Sequence, residues 1–134
     1  MSPQYVADFM TIDPIVVRAD DTIAQAEALM RQYAISGLPV LDDEGRLVGV
    51  ISQTDLLWRG GLPLDGLLHR TSDQIAVREL MSSPAITVPT TATLVEAART
   101  MRDRHVHRVV ATDEEFRPVG VLSAFDFVEL YADA

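Results

Sequence analysis

Hydrophobic and polar positions along the chain follow two periods, one typical of helices and one typical of strands. Apolar residues three or four positions apart predict a buried face on each of two helices. These apolar stripes are Ile23, Ala26, Met30 and Tyr33, and Leu94, Ala97, Ala98 and Met101. Short apolar runs bounded by turn residues predict strands. These runs are Ile15–Val17, Leu38–Leu41, Leu47–Ile51, Ala85–Val88, Val106–Ala111 and Val119–Leu122.

Shorter signals complete the pattern and mark where elements begin and end. Single helical turns are expected at Val6–Met10 and Val77–Met81, and further helices at Thr54–Trp58 and Ala124–Tyr131. Thr22 suits a helix N-cap, and Gly37 is expected to end the helix that follows. Residues 42–45 predict a tight turn that joins two strands into a hairpin. The element order is strand, helix, strand, strand, helix, read twice, and this order predicts an α+β fold.

The element order recurs because the sequence itself recurs, without a gap from Val6 to Leu57, at an offset of 71 residues. The matched positions include glycines, acids and hydroxyls, so hydrophobic periodicity alone does not explain them. Examples are Val6 and Val77, Met10 and Met81, Thr22 and Thr93, Gly49 and Gly120, Ser52 and Ser123, and Asp55 and Asp126. Two copies of one supersecondary unit, packed on each other, are predicted. We assign residues 1–59 to repeat one, 60–76 to a linker and 77–134 to repeat two.

Composition and charge narrow the class of protein. At 134 residues and 48% hydrophobic content, the chain is one ordinary domain with apolar surface to spare, which favours a homodimer. No run approaches the roughly 20 apolar residues that span a bilayer, the first residues do not resemble a signal peptide, and cysteine is absent. A cytoplasmic protein without membrane contact is therefore expected. The net charge of −9 disfavours nucleic-acid binding, and an anionic ligand would need a local positive cluster.

Two matched segments carry the candidate chemistry, at the end of a hairpin strand and the start of the next helix. They are Gly49-Val50-Ile51-Ser52-Gln53-Thr54-Asp55 and Gly120-Val121-Leu122-Ser123-Ala124-Phe125-Asp126. Each glycine permits close approach of another backbone, and each serine hydroxyl can reach a ribose or phosphate oxygen. Each aspartate can accept hydrogen bonds from both hydroxyls of a ribose, as acids do in dinucleotide-binding folds. The alternative interpretation is that the serines are helix N-caps and the aspartates complement the helix dipole.

Together with the element order, these segments resemble the CBS domain family (cystathionine β-synthase domains), over about Val6 to Tyr131. A tandem pair in this family, called a Bateman module, packs its two units through their sheets with pseudo-twofold symmetry. The resemblance implies two clefts that bind adenosine-containing ligands such as AMP, ADP, ATP or S-adenosylmethionine. It also implies a regulatory module and not an enzyme, without a cofactor other than that ligand. Its output would pass to an unknown effector protein, or through self-association as a head-to-head or head-to-tail dimer.

The two repeats differ in charge where the hairpin begins. Repeat two carries His107 and Arg108 at the positions where repeat one carries Ser36 and Gly37. Arginine is always charged and forms paired hydrogen bonds with phosphates, so repeat two is expected to serve the better nucleotide site. The stretch Val106–Val110 also resembles a phosphate-contacting segment in the gamma subunit of AMP-activated protein kinase. The alternative for Arg108 is a surface salt bridge to one of the many acids.

The resemblance also assigns an adenine slot to the first strand of each repeat. Its walls would be Ile15, Val16 and Val50 in repeat one, and Ile86, Thr87 and Val121 in repeat two, although each is also an ordinary core position. The predicted ligand-binding residues are His107, Arg108, Ser123, Asp126, Ile86, Thr87, Val121, Ser52, Thr54, Asp55, Ile15 and Val16.

The sequence gives little indication of a metal site or of catalysis. His105 and His107 could share one strand face, but no third metal ligand stands at a suitable spacing. No serine has a histidine partner in a triad-like order, so catalysis is not indicated. Trp58 is expected to anchor the linker or a dimer contact. Two alternatives to ligand sensing remain: a ligand-free interaction module, and a nucleic-acid binder.

Overall fold

The structure, a computed structural model, describes residues 2–56 and 70–133. The helices are α1 (Val6–Phe9), α2 (Ile23–Tyr33), α3 (Leu94–Arg104) and α4 (Ala124–Ala132), with a 3₁₀ turn at Val77–Glu79 and a helical stretch at 53–56. The strands are β1 (Thr11–Ile12), β2 (Val17–Arg18), β3 (Gly37–Leu41), β4 (Leu47–Ser52), β5 (Thr87–Pro89), β6 (Arg108–Thr112) and β7 (Pro118–Ser123). This mixture of helices and sheets confirms the α+β class.

The chain forms two compact units whose boundaries differ from those of the sequence repeats. The first-repeat unit is Ile15–Ala85, and the second-repeat unit combines Met1–Pro14 with Ile86–Ala134. The first-repeat unit contains a sheet in the order β2-β3-β4, and the second-repeat unit a sheet in the order β1-β7-β6-β5. In each sheet the hairpin strands are antiparallel, and the strand before the long helix pairs in parallel because the helix provides the crossover.

Each unit has its own hydrophobic core between the long helix and one face of the sheet. The core of the first-repeat unit consists of Val17, Ile23, Ala26, Met30, Leu38, Val40, Ile51, Ile75 and Val77. The core of the second-repeat unit consists of Val6, Val88, Ala92, Leu94, Ala97, Met101, Val109, Ala111 and Leu122. Most of the predicted stripe residues are buried, whereas Tyr33 and Ala98, at the margins of their stripes, are exposed.

Each unit is completed by a segment that the sequence assigns to the other repeat or to the linker. In the second-repeat unit, Val6 donates from its backbone N–H to the carbonyl of Ala92, and β1 pairs with β7. In the first-repeat unit, the Ile23 N–H donates to the carbonyl of Ile75, a fully buried residue within the expected linker. Further along, Ser82 and Val50 exchange two backbone hydrogen bonds of 2.8 and 3.0 Å.

We call residues 6–12 and 77–82, which precede the first core strand and follow the linker respectively, the leading segments. A glycine permits each leading segment to approach a hairpin strand. A Cβ built on Gly49 would lie 2.6 Å from the carbonyl oxygen of Ser82 and 2.9 Å from the Met81 sulfur. A Cβ built on Gly120 would lie 2.7 Å from Met10 Cγ and 3.0 Å from the carbonyl oxygen of Thr11. All four distances are shorter than van der Waals contact, so the close approach that Gly49 and Gly120 predicted is present, and the neighbours are these leading segments.

The helix ends differ from the prediction. Gly37 does not end α2: the C-cap is Ala34, in the left-handed conformation with φ of 53°, and Gly37 is the first residue of β3. His105 ends α3 in the same way, with φ of 55°. The prediction followed the usual glycine preference of this position, but a non-glycine residue occupies it in both repeats. At the other end, Thr22 and Thr93 are N-caps, and the predicted cap at Thr22 is confirmed.

The strand boundaries also shift from the expected ones. Ile15 and Val16 precede β2, and Ile86 precedes β5, because pairing begins one or two residues later than the β-branched runs. Val106 and His107 precede β6, and the short strand β1 was not predicted. Residues 53–56 are helical, as expected from Thr54 onward. Leu57, Trp58 and linker residues 60–69 lie outside the described residues. No helix among residues 2–56 and 70–133 is long and apolar enough to cross a membrane.

Alanine at the two glycines is expected to destabilise the protein by about 1–3 kcal/mol, the usual cost of overpacking. Gly49→Ala should cost more than Gly120→Ala, because its Cβ meets a backbone oxygen whereas Gly120 meets mainly the flexible side chain of Met10. Adding Met10→Ala should partly rescue Gly120→Ala, whereas Met81→Ala should not rescue Gly49→Ala. Urea unfolding measures these free energies, and equal rescue of both variants would contradict this account.

Candidate functional site

The serine–aspartate pairs lie where a strand passes into a helix, as predicted. Asp126 Oδ2 accepts hydrogen bonds from the backbone N–H of Ser123 at 2.7 Å and from its hydroxyl at 3.2 Å. Asp55 Oδ2 accepts the same bonds from Ser52 at 2.8 and 3.1 Å, and the Asp55 N–H donates to the Ser52 hydroxyl at 3.3 Å. In this structure, one oxygen of each aspartate therefore stabilises the start of a helix.

The second carboxylate oxygen distinguishes the two aspartates. Asp55 Oδ1 lies 3.5 Å from the hydroxyl of Ser82, at the limit of a hydrogen bond. Asp126 Oδ1 accepts no hydrogen bond from any residue within 2–56 or 70–133. Because only Oδ2 takes part in the cap, Oδ1 of Asp126 can still accept a hydrogen bond from a ligand hydroxyl. The capping and ribose interpretations are therefore compatible at this residue.

His107 and Arg108 lie beside this pair in the second-repeat unit. Arg108 is the first residue of β6, and its Cα is paired with that of Ser123 across the hairpin. The Ala124 N–H donates to the carbonyl of His107 at 2.8 Å. We call His107, Arg108, Ser123 and Asp126 the second-repeat corner. In the first-repeat unit, Gly37 pairs with Ser52, and the carbonyl of Ser36 accepts from the Gln53 N–H at 2.9 Å. We call Ser36, Gly37, Ser52 and Asp55 the first-repeat corner; neither Ser36 nor Gly37 carries a positive charge.

Arg108 is the cation of the second-repeat corner. Its side chain is half-buried, and this burial lowers the pKa of the guanidinium from its ordinary value. An arginine remains charged at neutral pH even so. Partial burial reduces solvent screening, so an anion that contacts Arg108 would interact more strongly than with an exposed arginine.

The alternation of side chains along each strand determines which face of the sheet the remaining predicted residues of repeat two occupy. Thr87, Val110 and Val121 are aligned across β5, β6 and β7, on the same sheet face as Arg108 and Ser123. The neighbouring strand positions, such as Val109 and Leu122, instead face the helix core. Thr87 and Val121 are thus on the face of the second-repeat corner.

Other predicted residues lie elsewhere. Ile86 packs against the core of the second-repeat unit, and Ile15 against that of the first-repeat unit, which agrees with the alternative that these are core positions. Ser52, Thr54, Asp55, Val16 and Val50 belong to the first-repeat unit. There Thr54 is exposed, and the backbone of Val50 is bonded to Ser82.

The possible arrangement of His105 and His107 on one strand face is not found. His105 is the C-cap of α3 and His107 precedes β6, so neither belongs to a strand. Among the described residues, no group of three or more His, Cys, Asp or Glu side chains could hold a metal ion.

The sequence pattern did not indicate that the leading segments are part of the site environment. Ser82 contacts Asp55. Thr11 is the counterpart of Ser82 at the 71-residue offset, and it pairs with Val121. The offset did match Met10 to Met81, next to these residues. This match indicated that the two segments are equivalent, but nothing in the sequence showed which repeat each segment would join.

The fold and the paired strand-end corners define a protein built from two copies of one α+β repeat. The profile of the CBS domain family matches residues 6–59 and 77–133. The chain therefore belongs to the CBS domain family, and it contains the domain twice.

Curated relatives match most of this chain over a small part of their own length. The inosine-5'-monophosphate dehydrogenase of Mycobacterium bovis is 34% identical over 121 residues, which cover 90% of this chain and 21% of that protein. The uncharacterised protein MJ1404 of Methanocaldococcus jannaschii is 30% identical over an alignment of 141 positions, which covers 99% of this chain and 33% of that protein. The chain thus spans about a fifth to a third of these relatives.

Solved structures share the fold over nearly the whole chain. CBSX2, in a crystal structure with AMP, is 30% identical with a TM-score of 0.83, and 97% of each chain is covered. A further structure of CBSX2 identifies its source as Arabidopsis thaliana. The CBS domain pair of MJ0100, in complex with 5-methylthioadenosine and S-adenosyl-L-methionine, has a TM-score of 0.85 at 22% identity, with 98% of each chain covered.

We expect Asp126→Ala to lower the free energy of unfolding by about 0.5–2 kcal/mol, the usual range for a lost helix cap. Asp126→Asn should cost less, because its amide oxygen can still accept from Ser123. Urea unfolding of both variants measures the difference. No loss in Asp126→Ala would contradict the capping role of the carboxylate.

Proposed function

We propose that this chain is a regulatory module that binds an adenosine-containing ligand: AMP, ADP, ATP or S-adenosylmethionine. The observation that carries the proposal is the second-repeat corner, where an arginine, a hydroxyl and a carboxylate with an available oxygen lie on neighbouring backbone positions. The AMP complex of CBSX2, a relative of 30% identity, supports a nucleotide as the ligand class.

Each residue of the second-repeat corner has a distinct proposed role. Asp126 accepts hydrogen bonds from ribose hydroxyls through the oxygen not used by its cap. Arg108 and His107 bind phosphate, and Ser123 adds a hydroxyl within reach of either group. Thr87 and Val121, on the same face of the sheet, contact the adenine. Repeat one carries Ser36 and Gly37 in place of His107 and Arg108, so we propose that its site, with Ser52, Thr54 and Asp55, does not prefer nucleotides over nucleosides.

The proposed mode of action is regulation without catalysis. A ligand that binds one conformation more tightly shifts the population toward it, and a partner that distinguishes the conformations reads that shift. We propose an unidentified effector protein as that partner, a homodimer as the working form and the cytoplasm as its location. No cofactor besides the adenosine ligand is required.

One observation favours a second function. The serine–aspartate pairs satisfy each other as helix caps, as they would in an interaction module that binds no ligand. Ligand titration separates this alternative from the sensor. Nucleic-acid binding is disfavoured, because the net charge of −9 repels phosphate backbones.

Asp126→Ala should weaken adenosine binding by about 1.5–3 kcal/mol, the range for hydrogen bonds to charged groups. Glu96→Ala is the matched control, since it removes an equivalent helix cap, the bond that Glu96 accepts from the Thr93 N–H at 3.1 Å, and Glu96 belongs to neither proposed site. Isothermal titration calorimetry with adenosine gives both affinities, and circular dichroism verifies folding. If adenosine binds both variants as tightly as the original chain, the carboxylate of Asp126 is a cap alone.

Arg108→Ala should abolish most of the preference for AMP over adenosine and leave adenosine binding largely intact, because adenosine carries no phosphate for the guanidinium. Arg117→Ala, which removes an exposed arginine paired to Glu115 at 3.1 Å, is the control for net charge. AMP and adenosine titrations at two salt concentrations measure the preference, which should fall with salt.

Three results of these titrations would count against the proposed phosphate site. Equal weakening of AMP and adenosine would mean that Arg108 supports the fold. Unchanged AMP binding would locate the phosphate elsewhere. Absence of binding by AMP, ATP and S-adenosylmethionine to the original chain would favour the ligand-free interaction module.

A further inference from the structure

The two hairpin turns, at residues 42–45 and at the matching residues 113–116, have the same backbone hydrogen bonds. In each turn, the Oδ1 atom of the first aspartate accepts bonds of 2.9 Å from the N–H groups two and four residues later. The fourth residue donates its N–H to the carbonyl of that aspartate at 3.1 Å. The two turns therefore share one backbone conformation, and they can be compared position by position.

The fourth position distinguishes the two turns. Its backbone is left-handed in both, with φ of 81° at Gly45 and 63° at Phe116. Glycine adopts this conformation without steric cost, whereas a bulky side chain is rarely found in it. A Cβ built on Gly45 would meet no atom of the described residues within 4 Å beyond its chain neighbours, so the conformation alone favours glycine there. The turn itself therefore does not explain a phenylalanine at position 116.

The hydrophobic core does not explain Phe116 either. The residue has 48% of its surface exposed. Among the described residues, the half-buried ones packed against the core of the second-repeat unit include Phe9 and Phe127, and Phe116 is not one of them. Aromatic side chains are enriched among the few residues that carry most of the energy of a protein–protein contact. An exposed aromatic ring in a strained turn is thus suited to bind a partner.

The residues around Phe116 carry negative charge. Asp113, Glu114 and Glu115 precede it, and all three are exposed. Arg117 follows it and pairs with Glu115 at 3.1 Å. Three acids beside one arginine leave the turn negative, so a complementary surface is positive. We call residues 113–117 the second-repeat tip.

The second-repeat tip lies at the opposite end of the hairpin from the second-repeat corner. Strand β6 begins at Arg108, in the corner, and ends at Thr112, directly before the tip. At about 3.3 Å per residue, this strand separates the two ends by about 13 Å. A protein bound at the tip would leave the corner open to a ligand, as a sensor that binds both requires.

We infer that the second-repeat tip binds the effector protein, with the ring of Phe116 in an apolar pocket whose rim carries lysine or arginine. The ring supplies the apolar contact, and Glu114 and Glu115 supply charges for the rim. The turn of repeat one has acids too, but Gly45 provides no ring. The inference rests on the proposed regulatory function and identifies the surface that the effector contacts.

Exchanging the two side chains tests whether the phenylalanine serves folding. Phe116→Gly should shift the urea midpoint of unfolding upward, because glycine removes the steric cost of the left-handed backbone. Gly45→Phe, the reverse change at the matching position, should shift the midpoint downward. Circular dichroism during urea unfolding measures both. A lower midpoint for Phe116→Gly would mean that the ring stabilises the fold, and the inference would be overturned.

A photoreactive phenylalanine analogue, p-benzoyl-phenylalanine, identifies the partner when it replaces Phe116 in the cells that produce this protein. The same analogue in place of Tyr33 is the matched control, because Tyr33 is an aromatic residue of similar exposure, 47%. A protein cross-linked from position 116 and not from position 33 is then purified. Isothermal titration calorimetry of that protein against the intact chain, and not its capture, decides the question.

The affinity of the purified complex should depend on both the ring and the acids. Phe116→Gly should weaken it by about thirtyfold or more, as expected for an anchor residue. Glu114→Arg should weaken it by about tenfold, and by less at high salt. Asp43→Arg, at the matching position of the other turn, should have no effect. The affinity for AMP should be unchanged in Phe116→Gly.

The outcomes separate the tip from the ligand site. Loss of the complex in Phe116→Gly, with a raised urea midpoint, supports the inference. A complex unaffected by Phe116→Gly, or no protein specific to position 116, overturns it. Cross-linking to a second copy of this chain also overturns it, because the tip would then be a self-contact. An unchanged affinity in Glu114→Arg overturns the positive rim. AMP binding by the original chain, titrated separately, tests the second-repeat corner alone.

Discussion

Both units of this protein depend on one close contact, in which a leading segment packs directly against a glycine of a hairpin strand. Gly49 admits the backbone of Ser82, and Gly120 admits Met10 and Thr11. Residues 1–14 complete the unit of the second repeat, and residues up to Ala85 complete that of the first. A cut at the sequence boundary between the repeats would therefore separate each unit from part of its own core. The two repeats must be present together for either to be complete.

Much of the fold follows from local signals in the sequence. The capping threonines, the helical stripes and the hairpin turns each stabilise a structure within a few residues, so each element could be predicted where it lies. The left-handed caps at Ala34 and His105 escaped prediction because neither is glycine, and glycine is the usual signal for that conformation. Strand β1 has only two residues, too few for a periodic pattern, and its partner β7 lies more than a hundred residues later.

The candidate site was predictable where neighbours in the sequence or across a hairpin create it. Ser123 and Asp126 are three residues apart, and the hairpin register brings Arg108 opposite Ser123. The contact of Ser82 with Asp55 depends instead on the exchange of leading segments, which no local pattern reveals. The same repeated backbone thus carries two different sets of side chains. A symmetric fold can in this way offer a charged corner in one unit and an uncharged corner in the other.

The central claim is that a nucleotide binds at the second-repeat corner, and amide chemical shifts measured during an AMP titration test it most directly. Amides report on each backbone position separately, so the two corners can be compared within one sample. The account predicts saturable shifts concentrated at His107, Arg108 and Ser123 to Asp126, with smaller shifts at Ser36, Gly37 and Ser52 to Asp55. Shifts confined to the first-repeat corner, or none at either corner, would contradict it.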